Sequence, residues 1–240
     1  MSQPIDPNRV VIFSGAGISA ESGLTTFRDG DGLWNRYKIE DVATPSAWEA
    51  NPEIVLQFYN ERRIQAAKAQ PNAAHLAIAE LEAKYEVIVV TQNIDDLHER
   101  AGSSHIIHVH GEITKARSSI DSSLIYPIGD RQIQLGDKCD RDSQLRPHVV
   151  WFGEDIQNFE VARAAFKTAG KVLVIGTSLS VYPAASLLNK ARFHAEKLLV
   201  SLEIDKKPFG YSCWQEKASI AIPNIVRRWL EGQYLGRSRH

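Results

Sequence analysis

The chain has 240 residues, with 28 Lys+Arg against 29 Asp+Glu and a formal net charge of −1. That length suits one sizeable domain with room for a small inserted lobe, and the balanced charge gives no means of recruiting nucleic acid or an acidic membrane. At 43% hydrophobic and 24% charged residues the composition is that of an ordinary globular protein, which excludes wholesale disorder. No apolar run approaches the ~18 residues of a membrane span, and the stretch MSQPIDPNR has no apolar signal core, so a cytoplasmic location is expected. Cys139 and Cys213 belong to no CxxC, and without a secretory context no disulfide is expected.

In chain order, β-rich runs alternate with helical patterns, which predicts an α/β protein with a mainly parallel sheet. Strands are expected at 9–14, 86–91, 106–109, 171–175 and 197–204. Helices are expected at 72–85 with Asn72 as N-cap, at 159–169 with Gly170 as stop, at 183–195 and at 224–231. Two stretches break the rhythm. Residues 29–70 carry a Gly-rich loop and then helical segments, and residues 112–148 are polar and weakly periodic. Both read as insertions over the strand ends.

Gly15-Ala16-Gly17-Ile18-Ser19-Ala20 follows the first strand and fits G-x-G-x-x-G/A, where glycines let backbone N–H groups approach a pyrophosphate. Its plain alternative is a strand-to-helix turn. The dinucleotide fingerprint also asks for a second strand ending in an acid about 20 residues on. Here Phe27-Arg28-Asp29-Gly30-Asp31-Gly32-Leu33-Trp34 occupies that place, a loop suited to closing over a nucleotide, which disfavours a hydride-transfer dehydrogenase.

Thr91-Gln92-Asn93-Ile94-Asp95-Asp96 follows the second strand, where ligands of parallel sheets bind. Its amides and carboxylates can hold a carboxamide and ribose hydroxyls, and they exceed what an N-cap at Asn93 or Asp95 requires. His108 and His110 point the same way from the third strand. His110, followed by Gly111, is a candidate general base, and the pair could instead bind a metal. Gly176-Thr177-Ser178 closes a later strand as a second phosphate or ribose contact. The run RPHVVWFGE is either core or an edge that accepts an extended peptide. Tyr59 and Arg62, three apart on a predicted helix, share a face. A phenol and a guanidinium can together hold a carboxylate, although on spacing alone a surface Arg and a half-buried Tyr is the better reading.

GAGISAESGL with TFRDGDGLW, TQNIDDLHERAG, HVHGE, RPHVVWFGE and IGTSLSVYPA, in this order, resemble the sirtuins, the NAD-dependent protein-lysine deacylases. The resemblance runs from Val10 to about Leu230 and is similar to the bacterial branch that removes acidic acyl groups. It implies a Rossmann-like NAD domain from 1–28, 71–111 and 149–240 and a smaller inserted lobe from 29–70 and 112–148, with acylated-lysine protein substrates entering between them. It implies that Gly15, Ala16 and Gly17 hold the pyrophosphate and that Phe27 and Arg28 lie on the cofactor loop. Gln92, with Asn93 and Asp95 as catalytic residues, would line the nicotinamide and ribose pocket, and His110 would be the general base. Gly176, Thr177 and Ser178 would meet the adenosine side. Glu203, where the family often has Asn, would take ribose hydroxyls. Val150, Phe152, Gly153 and Glu154 would border the peptide channel.

Tyr59 and Arg62 match the family's desuccinylase signature, so succinyl-, malonyl- or glutaryl-lysine is expected as substrate beside acetyl-lysine, with nicotinamide and O-acyl-ADP-ribose as products. A sirtuin-like NAD hydrolase or ADP-ribosyltransferase with weak deacylation is the rival, and a non-catalytic nucleotide-binding module the third. Most sirtuins hold a structural zinc on four cysteines. Here the first pair is replaced by Ala116-Arg117-Ser118-Ser119 and only Cys139 remains, so no structural zinc is expected. Leu124, Ile125, Tyr126, Ile128, Ile133 and Leu135 would then hold the lobe by packing.

Overall fold

The computed structural model of the protein describes residues 4–25, 37–204 and 207–236. Six strands form one parallel sheet: β1 (Asp6–Ser14), β2 (Glu86–Thr91), β3 (Ile106–His108), β7 (Ala169–Ile175), β8 (Glu196–Val200) and β9 (Ser212–Trp214). Their order is β3-β2-β1-β7-β8-β9. The order reverses between β1 and β7, so the crevice of this sheet opens at the carboxyl ends of those two strands.

Alternation along the strands builds two cores. Val10, Ile12, Val87, Val89, Leu173 and Leu198 face α5 (Ala73–Glu80) and α8 (Ala218–Leu230), ending on Trp229. Val11, Phe13, Ile88, Val90, Val172 and Val174 face α7 (Phe159–Thr168) and the 3₁₀ turn Ala184–Lys190. Both faces are covered, which is why the inner residues 10–13 of β1, 87–90 of β2 and 172–175 of β7 are unbroken apolar runs.

Beyond the sheet ends lies a second assembly. The short helices α2 (Ile39–Val42) and α3 (Pro45–Ala50) lead into the long α4 (Pro52–Lys68). A three-stranded antiparallel sheet of β4 (Gly111–Ser118), β5 (Ile125–Pro127) and β6 (Leu145–Val149), in the order β5-β4-β6, packs beside them. Phe58, Tyr59, Val55, Ile113, Val149 and Trp151 form the core they share. Arg63 and Asn60 bolt α4 to this sheet. Arg63 Nε donates to the Ile113 carbonyl at 2.8 Å, and Asn60 Nδ2 donates to the Ile133 carbonyl at 2.8 Å.

Several expectations are corrected. Gly170 is not a helix stop. The helix ends at Thr168 and the chain passes directly into β7, whose Ala169 pairs with Asp6 of β1. The segment expected as a helix over 183–195 is a 3₁₀ turn limited to Ala184–Lys190. β8 ends at Val200, which leaves Glu203 exposed in the loop that follows rather than at a strand end. β9 was not expected. The last helix starts at Ala218 and carries Pro223 in its sixth position. In the small lobe, Ile133 is buried, but Ile125 and Leu135 are 44% and 54% exposed; Leu56, Ala116, Leu145 and Cys139 supply the packing they were expected to give.

Candidate active site

β1 delivers Gly15 to the crevice, and the five-residue helix α1 (Ala16–Ala20) starts there. The Gly17 N–H donates to the Gly176 carbonyl at 2.8 Å, so the first glycine loop lies directly on the loop that closes β7. A Cβ on Gly17 would sit 2.7 Å from the Gly176 Cα, and one on Gly176, at φ +58°, would sit 2.4 Å from the Ile18 nitrogen. Only bare backbone allows this approach. Thr177 Oγ1 donates to Gln92 Oε1 at 2.8 Å, joining the same loop to the segment after β2. Gly15, Ala16, Gly17, Gln92, Gly176 and Thr177 therefore meet around one crevice. Ser178 is exposed and bonds to Ser180, and Glu203 is exposed beyond β8. Phe27 and Arg28 lie outside the described residues.

The segment after β2 is bound to α1 through Ser19, a residue that the sequence reading passed over. Ser19 Oγ accepts from Asn93 Nδ2 and donates to Asp95 Oδ2, both at 3.0 Å. The Asn93 N–H donates to Thr91 Oγ1 at 3.0 Å, and Thr91 in turn accepts from Ser14. Burial raises the Asp95 pKa, against the Leu97 N–H and the Ser19 hydroxyl, which hold its carboxylate charged. Serine on the inner turn of a Gly-rich loop is the signal that would have found Ser19.

His110 sits where β3 hands over to β4. Its Nδ1 is 3.0 Å from the Gln92 carbonyl. A carbonyl only accepts, so Nδ1 carries the proton and Nε2 keeps its lone pair. Burial holds the ring's pKa below the ordinary value, with the Gln92 bond opposing it. The result is a neutral imidazole with a free basic nitrogen at neutral pH, as a general base requires. His108 turns its own Nδ1 to the next carbonyl, that of Asn93, at 3.1 Å. The two rings thus grip successive carbonyls of one loop rather than converging on a shared ion. Gly111, at φ +82°, admits β6: a Cβ there would lie 2.2 Å from the His148 carbonyl oxygen.

Tyr59 and Arg62 project from the same face of α4. Tyr59 is buried, which pushes its pKa up to about 12 against the nearby Arg62 charge. Burial lowers the Arg62 pKa, opposed by Tyr59 and by Asp95 of the crevice loop. Arg62 also lies over the Phe58 ring, 5.7 Å from its centre. A buried phenol and a half-buried guanidinium therefore stand on one face of α4, near the Asp95 loop.

β6 continues into Val150–Glu154, and this turn is tightly determined. The Val150 N–H donates to the His110 carbonyl and the Phe152 N–H to that of Ala43, both at 2.9 Å. Those two donors are occupied, and so is the Trp151 N–H between them, which bonds to Glu154. Phe152 and Gly153 are exposed. Glu154 is half-buried and accepts from Arg146 at 2.8 Å, Arg117 at 3.0 Å and the Trp151 N–H at 2.8 Å. Burial works against its charge, but the Arg146 bond, the Trp151 N–H and the charges of Arg146 and Arg117 together outweigh it and lower its pKa. Arg146 lies 3.2 Å from the Trp151 ring centre. Arg117, Arg146 and Trp151 were not singled out from the sequence, because their roles depend on one another across β4 and β6.

Where a first cysteine pair was sought, Ser118 Oγ bonds to Ser143 Oγ at 2.9 Å, and Ser143 meets the Cys139 thiol at 3.1 Å. Those Ser118 and Ser143 bonds lower the Cys139 pKa to about 7. Among the described residues, no helix is long and apolar enough to cross a membrane.

Residues 15–183 match the model of the Sir2 family. A protein of Helicobacter pylori named NAD-dependent protein deacylase is 47% identical over 226 residues, which cover 92% of this chain and 97% of its own. Another of that name, from Aggregatibacter actinomycetemcomitans, is 53% identical over 191 residues, covering 79% and 91%. A solved structure of a Sir2 homologue in complex with NAD superposes with a TM-score of 0.83 at 38% identity, covering 93% of this chain and 90% of that one.

Proposed function

The chain belongs to the Sir2 family and is a sirtuin-type NAD-dependent protein deacylase, and from that premise we propose that it removes acetyl and acidic acyl groups, succinyl and malonyl among them, from protein lysines. The observation that carries the acidic preference is the pairing of Tyr59 with a desolvated Arg62 on one face of α4, electrostatically coupled to the loop that holds Asp95. An acyl chain ending in a carboxylate supplies the anion this site is built for, through charge-assisted hydrogen bonds from guanidinium and phenol.

In this reading NAD is a co-substrate. Gly15, Ala16 and Gly17 take its pyrophosphate, Thr177 its adenosine side, and Gln92, Asn93 and Asp95 its nicotinamide ribose. The acyl oxygen attacks C1′ of that ribose and nicotinamide leaves. His110 Nε2 then takes a proton from a ribose hydroxyl, which adds to the imidate carbon, and water releases lysine and an O-acyl-ADP-ribose. The residues of the Ser19–Asn93–Asp95 group are already bonded to one another, so they are in place before the substrates arrive. The cleft must exclude water until the acyl oxygen is seated, because NAD would otherwise be hydrolysed. The donor set of the small lobe, one thiol among hydroxyls, is not one that holds zinc, and we propose a lobe fastened by packing and the Ser118–Ser143–Cys139 bonds.

The test is mass spectrometry of matched acetyl-lysine and succinyl-lysine peptides, with and without NAD, alongside nicotinamide quantitation. NAD-dependent removal of succinyl, faster than acetyl and matched one for one by nicotinamide, supports the reading. Nicotinamide released without peptide turnover would make the protein an NAD hydrolase or ADP-ribosyltransferase.

A further inference from the structure

His108 stands behind the Gln92–Asn93 loop, with its ring bonded to the loop's backbone. It is 7% exposed and has a partner at each ring nitrogen. Nδ1 lies 3.1 Å from the main-chain carbonyl of Asn93. Nε2 lies 2.7 Å from Glu99 Oε1, on α6 (Leu97–Arg100). A carbonyl and an ionised carboxylate both only accept. A neutral imidazole has one N–H and would turn a lone pair on one of them at hydrogen-bond distance. The geometry is satisfied only when both nitrogens carry hydrogen.

The charges around the ring agree. Glu112 of β4 places a carboxylate oxygen within 4.8 Å of a His108 ring nitrogen and of a Glu99 carboxylate oxygen. Lys115 offsets Glu112 with a contact of 2.7 Å. Asp95 faces the ring from the loop before α6, and His98, on α6, is neutral because burial holds its pKa well below the ordinary value. Two carboxylates and Asp95 thus oppose one lysine. Burial disfavours the charged ring, but the Glu99 bond and charge outweigh it and set its pKa above the ordinary value.

Asn93 is held by three bonds: its N–H on Thr91, its side chain on Ser19 and its carbonyl on His108. The His108 bond ties the loop to β3, and His110 holds the preceding carbonyl, that of Gln92, in the same manner. We propose that His108, held as an imidazolium between the Asn93 carbonyl and the Glu99 carboxylate, is a positioning residue for the Gln92–Asn93 loop, and that loss of its proton sets the alkaline limit of turnover. The inference rests on the reading of Asn93 and His110 as site residues. When the ring becomes neutral, the proton that stays is the one on Glu99, since the charge-assisted bond is the stronger. The Asn93 carbonyl then faces a lone pair and the loop loses its anchor to β3. Turnover thus has two limbs of separate origin, an acid limb from His110 gaining a proton and an alkaline limb from His108 losing one.

The experiment combines spectroscopy and kinetics on the full chain. In protein labelled with ¹⁵N-histidine, His108 resonances, assigned by their disappearance in His108→Gln, should show two protonated nitrogens at about pH 7.5. In kcat profiles for nicotinamide release with acyl-lysine peptide and NAD saturating, Glu99→Gln should move the alkaline limb down by about one to two pH units and leave the acid limb in place. His108→Gln keeps one donor for one acceptor, so its alkaline limb should vanish while kcat falls more than the KM for NAD changes. Tyr59 titrates near 12, outside this range, and Cys139, near 7, is removed as a source by running every profile in a Cys139→Ser background. A neutral His108 at that pH, or an alkaline limb unmoved by Glu99→Gln, overturns the proposal. Full deacylation by His110→Ala would instead overturn the site reading, and it leaves the spectroscopic result standing by itself.

Discussion

Replacing Arg62 with methionine separates recognition of the acyl group from the chemistry. Methionine keeps an unbranched stem against the Phe58 ring, which the guanidinium overlies at 5.7 Å, and removes only the charge and its donors. Burial has already lowered the Arg62 pKa, so its field is poorly screened by water. Hydrogen bonds to a charged group contribute roughly 1.5–3 kcal/mol, and a carboxylate left buried without its cation costs about 2–5 kcal/mol. A net loss of roughly 2–4 kcal/mol, at 1.36 kcal/mol per tenfold, lowers kcat/KM for succinyl-lysine peptide by about 30- to 1,000-fold. Acetyl-lysine carries no carboxylate, so its kcat/KM should change little, and the selectivity ratio should collapse. Tyr59→Phe removes one neutral donor, worth about 1 kcal/mol, and should lower only the succinyl reaction, by roughly fivefold. The assay is initial-rate mass spectrometry with both peptides at several concentrations. Equal losses for acetyl and succinyl in Arg62→Met would show that the arginine supports the fold or the NAD site and does not read the acyl chain.

Four further outcomes follow from the geometry. Arg146→Ala leaves Glu154 with Arg117 and the Trp151 N–H and uncovers Trp151; breaking a buried pair from one side should destabilise the protein by about 3 kcal/mol in urea unfolding, and Glu154→Gln should lose less. Gly17→Ala pushes a methyl to 2.7 Å from the Gly176 backbone, which has no flexible atom to yield, so calorimetry should show weakened NAD binding together with a lower melting temperature. His75 is buried neutral with its pKa lowered to about 4. A base depressed in the folded state contributes stability that is complete above its unfolded value near 6.5 and is lost as pH falls toward 4. That is roughly 3 kcal/mol from this ring alone, and equal urea midpoints at about pH 7.5 and 4.5 would contradict it. Elemental analysis of purified protein should find no zinc in stoichiometric amount, and one ion per chain that is lost in Cys139→Ser would mean that Cys139 has partners other than the serines bonded to it here.

Much of this site could be read from residue order because its chemistry lies at strand ends. A buried parallel strand is almost wholly apolar, so the first polar residues after it stand out, and Gln92, Asn93, Asp95, His110 and Thr177 all do. The same reasoning failed where an element's nature depends on what it touches. Residues 169–170 look like a helix end until β1 is beside them, since Ala169 becomes a strand residue by pairing with Asp6. Glu203 looks like a strand end because apolar Val200, Leu202 and Ile204 alternate with polar residues, yet β9 pairs only with Leu198–Val200 and the sheet stops there. Ile125 and Leu135 look like core by hydropathy, but Ile125 on β5 and Leu135 in the loop before β6 are exposed, and the core of the lobe is filled by Leu56, Ala116, Ile133 and Leu145.

Glu154 shows the same limit for function. Its place in RPHVVWFGE suggested a wall of the peptide channel, and its carboxylate instead joins Arg117, Arg146 and the Trp151 backbone. The turn that carries Phe152 and Gly153 is therefore held by the bonds of Glu154 to Arg117, Arg146 and the Trp151 N–H. Tyr59 feels both Arg146 and Glu154, so the network that shapes the peptide edge also borders the proposed acyl pocket. Rigidity of the edge and selectivity for the acyl group then have a common structural source. Arg146→Ala should accordingly loosen discrimination between succinyl and acetyl while Arg62 itself remains in place. If Arg146→Ala lowers stability and leaves that ratio at the wild-type value, the two properties are separable and the pocket is set by α4 alone.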